Sequence, residues 1–370
     1  MLILPPSRRA VLGLLASSLA ATGAARVARA GGVSLAADPV PGRPDAVFAN
    51  GVTVLSSGPA YGYIAGWAKL LTPQLLHGLP PEVTSAFTAM GGPDGVTVCN
   101  AFGARMDPDG STLMFTPGAA LLAWLEGDSR VKYDPARWVP TLIGTMPVVL
   151  VGKTPLSRYL TQKRALRLGA TNPIGPELAA IAALDLLGIP VAPIYGQTDP
   201  RSLTEALRRD RIDVALLAGP KIREALAEAA TAGALPLCLL ASGAAACGGP
   251  AMRDDLIPTV PTFLETAAAL GLPLPEDARV RAFETAAFAA STCFAAVLPD
   301  LVRPATVAAW RRGAELVSDN LTLAAVATQQ EIRFQTGACA ESLIRKITQS
   351  PGAAASLRAT LLHRFGWRAS

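Results

Sequence analysis

Short apolar segments alternate with longer segments rich in Ala and Leu along most of the chain. The short segments predict strands at Val52–Leu55, Glu82–Phe87, Thr112–Phe115, Val148–Val151, Leu166–Ala170, Val191–Ile194, Val214–Leu217, Pro236–Leu240 and Cys293–Val297. The longer ones predict helices at Tyr63–Leu76, Pro176–Leu187, Ser202–Arg209, Lys221–Ala232, Thr262–Leu270, Pro304–Ser318 and Gln335–Gln349. Strands that alternate with helices form βαβ units, so the pattern predicts an α/β protein with mostly parallel sheets.

Residues 1–30 have the features of an export signal. Arg8 and Arg9 stand directly before an apolar stretch rich in Ala and Gly, and residues 28–30 form an A-x-A cleavage site. Paired arginines in this context predict export to the periplasm by the twin-arginine route. An uncleaved anchor and an ordinary secretory leader are the alternatives. We expect a loose Gly/Pro-rich arm over residues 31–45.

Most of the net charge lies in this leader. The 370 residues carry a net charge of +5, but the leader has four arginines and no acid, so about +1 remains after its removal. The basic run at residues 208–211 is interrupted by Asp210 and fits a solvated helix end. A nucleic-acid partner is therefore not expected. A mature chain of about 340 residues suggests two domains.

The sequence lacks several motifs of enzymes and nucleotide-binding proteins. It contains no GxxxxGK(S/T), no GxGxxG after the first predicted strand and no GxSxG. His77 and His363 are its two histidines, which disfavours a Ser-His-Asp triad or a His-based metal site. A hydrolase that uses two carboxylates stays open. We expect no catalytic residue, no metal and no cofactor, and binding rather than turnover.

Five cysteines are present, at positions 99, 238, 247, 293 and 339, and none forms a CxxC pair. In an oxidising periplasm Cys238 and Cys247 are near enough in sequence to pair. The alternative, which we favour, is that most of the five are small buried apolar side chains. The odd count leaves at least one thiol unpaired.

The segment VLSSGPAYGYIAGWAKLL, Val54 to Leu71, runs from a predicted strand through small residues into a predicted helix. Such a turn directs unpaired backbone N–H groups to one point at the positive end of the helix dipole, which suits an anion. The residues alone leave three anions open: a nucleotide phosphate, a catalytic oxyanion and a carboxylate.

Five groups of residues carry a family resemblance: DPDGSTL at 107–113, KYDP at 132–135 followed by Pro140 and PVVLV at 147–151, YG at 195–196, RIDV at 211–214, and PTVPTFLE at 258–265. In the same order they resemble the PDGYTL, YDP…P…PxVLVV, YKG, QVD and PDVPTxxE segments of the extracytoplasmic solute receptors of tripartite tricarboxylate transporters. The resemblance spans roughly Val52 to Arg312, nearly the whole mature chain.

This resemblance implies a type-2 periplasmic-binding-protein fold, in which two α/β domains joined by two crossovers enclose a ligand cleft. Domain 1 is then formed by residues 46–148 and 243–370, and domain 2 by residues 149–242. The crossovers are expected near Val148–Val151 and Leu239–Ser242, where Pro and Gly cluster.

The resemblance also implies where a ligand binds. In the family, a PPGG-like turn opens a helix whose N-terminus receives a ligand carboxylate, and Ser57–Gly62 is the equivalent turn here. GATNPIGP at 169–176 forms a second cradle across the cleft, and Gly91–Val96 resembles a third turn, PGAGG. The expected ligand-binding residues are Ser57, Gly58, Ala60, Tyr61, Gly62, Gly92, Asp94, Thr171, Asn172, Gly175 and Tyr195. Taken singly, each turn also fits an ordinary βα connection.

Two departures from the family pattern concern the first helix. Ala65 stands where the family often has an acidic residue, which removes a contact to a ligand amino group. Tyr61 and Tyr63 replace glycines, and we expect them either to narrow the pocket or simply to pack.

The leading interpretation is a monomeric periplasmic receptor that captures a small organic carboxylate and presents it to membrane transporter subunits. A periplasmic sensor that docks on a signalling receptor and a periplasmic enzyme that reuses the cleft are the alternatives.

Overall fold

The computed structural model describes residues 47–105, 107–161, 164–171, 175–197, 199–242, 252–274 and 277–366. The predicted leader and arm, Asn172 and Cys247 lie outside these residues. Within them, no helix is long and apolar enough to cross a membrane.

The strands form two sheets. They are β1 (Val52–Ser57), β2 (Ser85–Met90), β3 (Thr112–Thr116), β4 (Trp138–Thr145), β5 (Val148–Gly152), β6 (Leu166–Gly169), β7 (Val191–Ile194), β8 (Val214–Ala218), β9 (Leu235–Ala241), β10 (Thr292–Pro299) and β11 (Arg333–Thr336). The six-stranded sheet of the first lobe has the order β11-β4-β10-β3-β1-β2, and the five-stranded sheet of the second lobe has the order β7-β6-β8-β5-β9.

Both sheets are mixed, so the expectation of mostly parallel sheets is wrong. β1 is parallel to β2 and β3, and β6 is parallel to β7 and β8. β10 and β5, by contrast, are antiparallel to the strands on either side of them. The physical reason is that neither strand belongs to a βαβ unit, which is what imposes a parallel direction. β5 enters its sheet directly from β4 of the other sheet through residues 146 and 147, and β10 enters its sheet between β3 and β4, which lie far away in sequence.

Helices cover the sheets. They are α1 (Tyr63–Leu76), α2 (Val96–Arg105), α3 (Gly118–Glu126), α4 (Leu156–Thr161), α5 (Leu178–Leu186), α6 (Pro200–Arg208), α7 (Ile222–Thr231), α8 (Phe263–Ala269), α9 (Ala278–Ser291), α10 (Pro304–Asp319), α11 (Leu321–Gln329), α12 (Gly337–Thr348) and α13 (Ala353–Phe365). α1 has the predicted bounds. The predicted helix at Gln335–Gln349 begins two residues later, because Gln335 belongs to β11 and pairs with β4.

The two lobes share one hydrophobic cluster. α9 packs against α3 of the first lobe and against α5 of the second. The strands of the first sheet come from residues 52–145 and 292–336, and those of the second come from residues 148–241. The exact domain boundaries stay a prediction. The shared cluster shows that α9 contacts both lobes beside the space between them.

The pairing of Cys238 with Cys247, which was the less favoured alternative, does not form, because Cys238 is a free thiol buried in β9. Cys99 and Cys293 are also free and buried, as the preferred interpretation expected. Cys339, in contrast, is disulfide-bonded. Burial of the sulfur raises the pKa of each free thiol to about 12, so these side chains behave as apolar packing groups.

Candidate functional site

A cavity of about 640 Å³ lies between the two lobes, and we call it the cleft cavity. Its wall is formed at the carboxyl ends of β1, β3 and β8 and at the junction of α9 with β10. The lining residues are Ser57, Gly58, Pro59, Gly62, Tyr63, Ile64, Pro93, Pro117, Gly118, Ala119, Leu122, Met146, Pro176, Ala218, Pro220, Ala289, Ala290, Thr292 and Cys293. The carboxyl ends of strands are where α/β proteins commonly bind ligands.

The amino terminus of α1 opens into the cleft cavity. β1 ends at Ser57, Gly58 turns the chain with a φ of +76°, and Gly62 precedes the first helical residue, Tyr63. Within the described residues Gly62 makes no side-chain capping bond, and the first turn of α1 contains no acidic residue. The first N–H groups of this 14-residue helix therefore keep their partial positive charge, the arrangement that binds anions.

The hydroxyl of Ser57 lies beside this helix end. The side chain is 1% exposed and lines the cleft cavity. Its Oγ has no hydrogen-bond partner in the part of the chain that the structure describes. A buried hydroxyl without a partner costs about 1–3 kcal/mol, so a ligand oxygen at this place would relieve that cost.

A second helix end that the sequence analysis missed faces the same cavity. α3 begins at Gly118, directly after β3 and Pro117, and as far as the structure describes its surroundings it too lacks a side-chain cap and an early acidic residue. A Cβ on Gly118 would lie 2.1 Å from the carbonyl oxygen of Ala289, so glycine is needed for α3 to approach α9 this closely. The Pro-Gly pair after a predicted strand was the available signal. Two helix N-termini of the first lobe therefore converge on the cleft cavity.

The predicted cradle of the second lobe lies at an adjoining side cavity of about 300 Å³. Thr171 lines it, and its backbone N–H and hydroxyl lie within hydrogen-bond distance of Glu177 Oε1, at 3.2 and 3.1 Å. Glu177 was not among the predicted site residues, although it is 4% exposed and lines the side cavity. The side cavity shares Pro176, Ala218 and Pro220 with the cleft cavity.

The other predicted site residues divide into two groups. Ser57, Gly58 and Gly62 line the cleft cavity, and Thr171 lines the side cavity. The remaining described ones lie outside both walls: Ala60, Tyr61, Gly92, Asp94, Gly175 and Tyr195. Asn172 lies outside the described residues.

Several residues of the second group have other contacts. Tyr61 is 93% exposed, with the Lys69 ammonium 5.2 Å from the centre of its ring, so it neither packs in the core nor narrows the cavity. Asp94 pairs with Arg130 at 2.8 Å. Tyr63, in contrast, does line the cleft cavity, where its hydroxyl oxygen lies 3.5 Å from the Cys293 sulfur.

Two buried acids near the site, Glu126 and Glu177, have raised pKa values. No charged side chain is found among the described residues that line the cleft cavity. Glu126, at the end of α3, is fully buried, and burial together with the charges of Asp128 and Glu177 raises its pKa to about 9. Burial also raises the pKa of Glu177, and hydrogen bonds from Thr171 oppose that rise. An anion in the cleft cavity must therefore be held by neutral donors.

No protein-family model and no curated protein sequence matches the chain. A solved TctC solute-binding protein from Polaromonas is similar, with a TM-score of 0.60 at 13% identity over 84% of this chain and 98% of that one. MatC from Rhodopseudomonas palustris, solved with bound malate, has a TM-score of 0.53 at 16% identity, over 83% of this chain and 98% of that one. Rpa4515 from R. palustris, solved with adipate, has a TM-score of 0.53 at 16% identity, over 83% of this chain and 97% of that one. The chain therefore has the α/β, two-lobe, type-2 fold of the periplasmic binding proteins.

Proposed function

We propose that this protein is a divergent member of the tripartite tricarboxylate solute-receptor family, which captures a small organic carboxylate in the periplasm and presents it to membrane transporter subunits. The observation that carries the proposal is the convergence of two helix N-termini, of α1 and α3, on one cavity that also contains the hydroxyl of Ser57. Within the described parts of the chain neither helix end has a side-chain cap and the hydroxyl has no hydrogen-bond partner. The motif order of the sequence and the fold support it.

The site is suited to binding rather than to turnover. The described wall of the cleft cavity contains no Asp, Glu, His, Lys or Arg side chain that would serve as a general acid or base. Backbone N–H groups and a hydroxyl donate charge-assisted hydrogen bonds, each worth roughly 1.5–3 kcal/mol to a carboxylate. A few such bonds hold an anion without changing it.

The first experiment is a thermal-shift screen followed by calorimetric titration. The panel contains straight-chain and aromatic monocarboxylates together with the dicarboxylate that matches each of them. We expect at least one carboxylate to raise the melting temperature, because a ligand that binds only the folded state stabilises it. A full panel without any shift or heat would overturn the proposed function.

Two variants of one residue test whether the backbone of α1 holds the ligand. Tyr63→Ala and Tyr63→Pro both remove the ring, but the proline also removes the N–H at the first helical position. Proline is tolerated there, and Gly62 has the extended backbone, φ −73° and ψ 170°, that a following proline requires. We expect Tyr63→Pro to bind the carboxylate about tenfold more weakly than Tyr63→Ala. Equal affinities would contradict binding by this helix end.

Export by the twin-arginine route is part of the proposal. Replacing Arg8 and Arg9 by lysine keeps the charge but removes the paired arginines. We expect the precursor of this variant to accumulate in the cytoplasm while the wild type reaches the periplasm, as cell fractionation and blotting would show. Normal delivery of the variant would exclude this route and leave an ordinary secretory leader.

A further inference from the structure

The second lobe presents a carboxylate of its own at the place where a second anion cradle was predicted. Glu177 directly precedes α5, and its Oε1 accepts hydrogen bonds from Thr171. Thr171 is one of the three residues at this strand–turn–helix junction, with Asn172 and Gly175, that the sequence assigned to a ligand anion. Its N–H group is therefore already used by a protein carboxylate.

The other oxygen of Glu177 remains available. Oε2 has no hydrogen-bond partner among the residues that the structure describes, and the side chain lines the side cavity next to the cleft cavity. Burial opposes the ionised form of this carboxyl and hydrogen bonds from Thr171 favour it. In its ionised form it accepts hydrogen bonds and repels another anion. This repulsion is strong because the group is buried, where water screens it weakly.

The wall that the cleft cavity shares with the side cavity of Glu177 is apolar. Pro176, Ala218 and Pro220 line both cavities, and Pro117, Leu122 and Met146 also line the cleft cavity. A ligand whose carboxylate lies at α1 and α3 therefore directs its body along hydrocarbon surface toward a negative group. An apolar body gains from that burial, whereas a second carboxylate loses its hydration without gaining a partner among the described residues that the two cavities share.

From this geometry we infer that the site selects an organic monocarboxylate with an apolar body over the corresponding dicarboxylate, and that Glu177 is the residue that sets this preference. The inference rests on the proposed function, since it assumes that a carboxylate binds at the helix ends of the first lobe. The sequence predicted two cradles, one in each lobe, and such a site would hold one carboxylate of the same ligand in each lobe. The inferred site instead holds a single carboxylate, at the first lobe.

Calorimetric titration at pH 8 with hexanoate and adipate, and with benzoate and terephthalate, tests the preference on the wild-type protein without any variant. The members of each pair differ by one carboxylate. We expect the monocarboxylate of any pair that binds to have at least about tenfold higher affinity. If the dicarboxylate binds equally well or better, this inference is overturned while the proposed function stands. If no carboxylate of the full panel binds, the proposed function fails and the inference fails with it.

Glu177→Gln identifies the residue responsible. Glutamine keeps the shape and can still accept from Thr171, but it carries no charge. We expect the affinity for the dicarboxylate to rise about tenfold while that for the monocarboxylate changes by less than about threefold. Glu82→Gln is the matched control, because Glu82 is exposed and precedes β2 at the end of the β1–β2 pair opposite Ser57. An unchanged preference in Glu177→Gln would show that Glu177 does not set it.

Discussion

Replacing Gly313 with alanine should lower the free energy of unfolding by about 3 kcal/mol. Gly313 lies in α10, where it meets the end of α1. A Cβ on Gly313 would lie 2.1 Å from the carbonyl oxygen of Leu75, and one on Gly78 would lie 2.2 Å from that of Ala309. Because the opposing atoms belong to backbones, no side-chain rotation relieves the clash, and the two helices must move apart. Urea unfolding followed by circular dichroism measures the change.

Gly66→Ala is the matched control in the same helix pair. Gly66 lies inside α1, is exposed, and a Cβ there would meet no atom within 4 Å. Alanine should therefore raise the free energy of unfolding by up to about 1 kcal/mol through its better helix propensity. If Gly313→Ala stabilised the protein to the same extent, the close contact of α1 with α10 would be wrong.

The part of the site that could be predicted from sequence depends on local signals. Val52–Leu55 is β-branched and apolar, small residues follow, and an amphipathic segment begins at Tyr63. These signals lie within about twenty residues of one another, so the junction of β1 with α1 was located and the helix bounds were correct. The strand β8 and the helix α10 begin at the predicted residues and end one residue later than predicted.

Three of the elements that were missed, α3, β4 and β11, lack such signals. α3 has the sequence GAALLAWLE, which is buried on almost all sides, so its apolar residues show no helical period and no cap marks its start. β4 contains Pro140, and β11 has four residues; both are held by pairing with strands far away in sequence. The one local signal for the second helix end of the cleft cavity is the Pro-Gly pair at 117–118, and such a pair marks a turn without showing that a helix follows.

Glu177 shows that the contacts of a side chain are harder to predict from sequence than the position of a helix or strand. The sequence located the small residues of the second cradle, but it did not show that the carboxylate of Glu177, six residues after Thr171, folds back and accepts hydrogen bonds from Thr171. Whether such a turn binds a ligand or its own side chain depends on rotamers and burial. Only the three-dimensional arrangement separates a cradle that is open from one that is occupied.

Glu126→Gln should remove a large pH dependence of stability. Glu126 is 0% exposed, and neither of its carboxylate oxygens has a hydrogen-bond partner among the described residues. Glu126 is also the last residue of α3, where the negative end of the helix dipole disfavours the ionised form of its carboxyl. Burial, then the charges of Asp128 and Glu177, raise its pKa from 4.5 to about 9. The folded protein therefore holds this proton at neutral pH, whereas the unfolded chain releases it.

The sign of the effect follows from the direction of that shift. A raised carboxyl pKa leaves stability intact below about pH 4.5 and removes it progressively as pH rises toward the folded-state pKa of about 9. Asp128 and Asp213, whose pKa values are lowered mainly by hydrogen bonds from arginines, affect stability only at acid pH, so a window from pH 5 to 8 avoids them. Between pH 5 and pH 8 the ionisation of Glu126 should lower the free energy of unfolding of the wild type by about 2–4 kcal/mol.

Urea unfolding at the two pH values tests this expectation. The free energy of unfolding of Glu126→Gln should equal that of the wild type at pH 5 and exceed it by that amount at pH 8, while that of Glu82→Gln should follow the wild type throughout. A constant difference between Glu126→Gln and the wild type across the window would mean that Glu126 does not titrate as a buried acid.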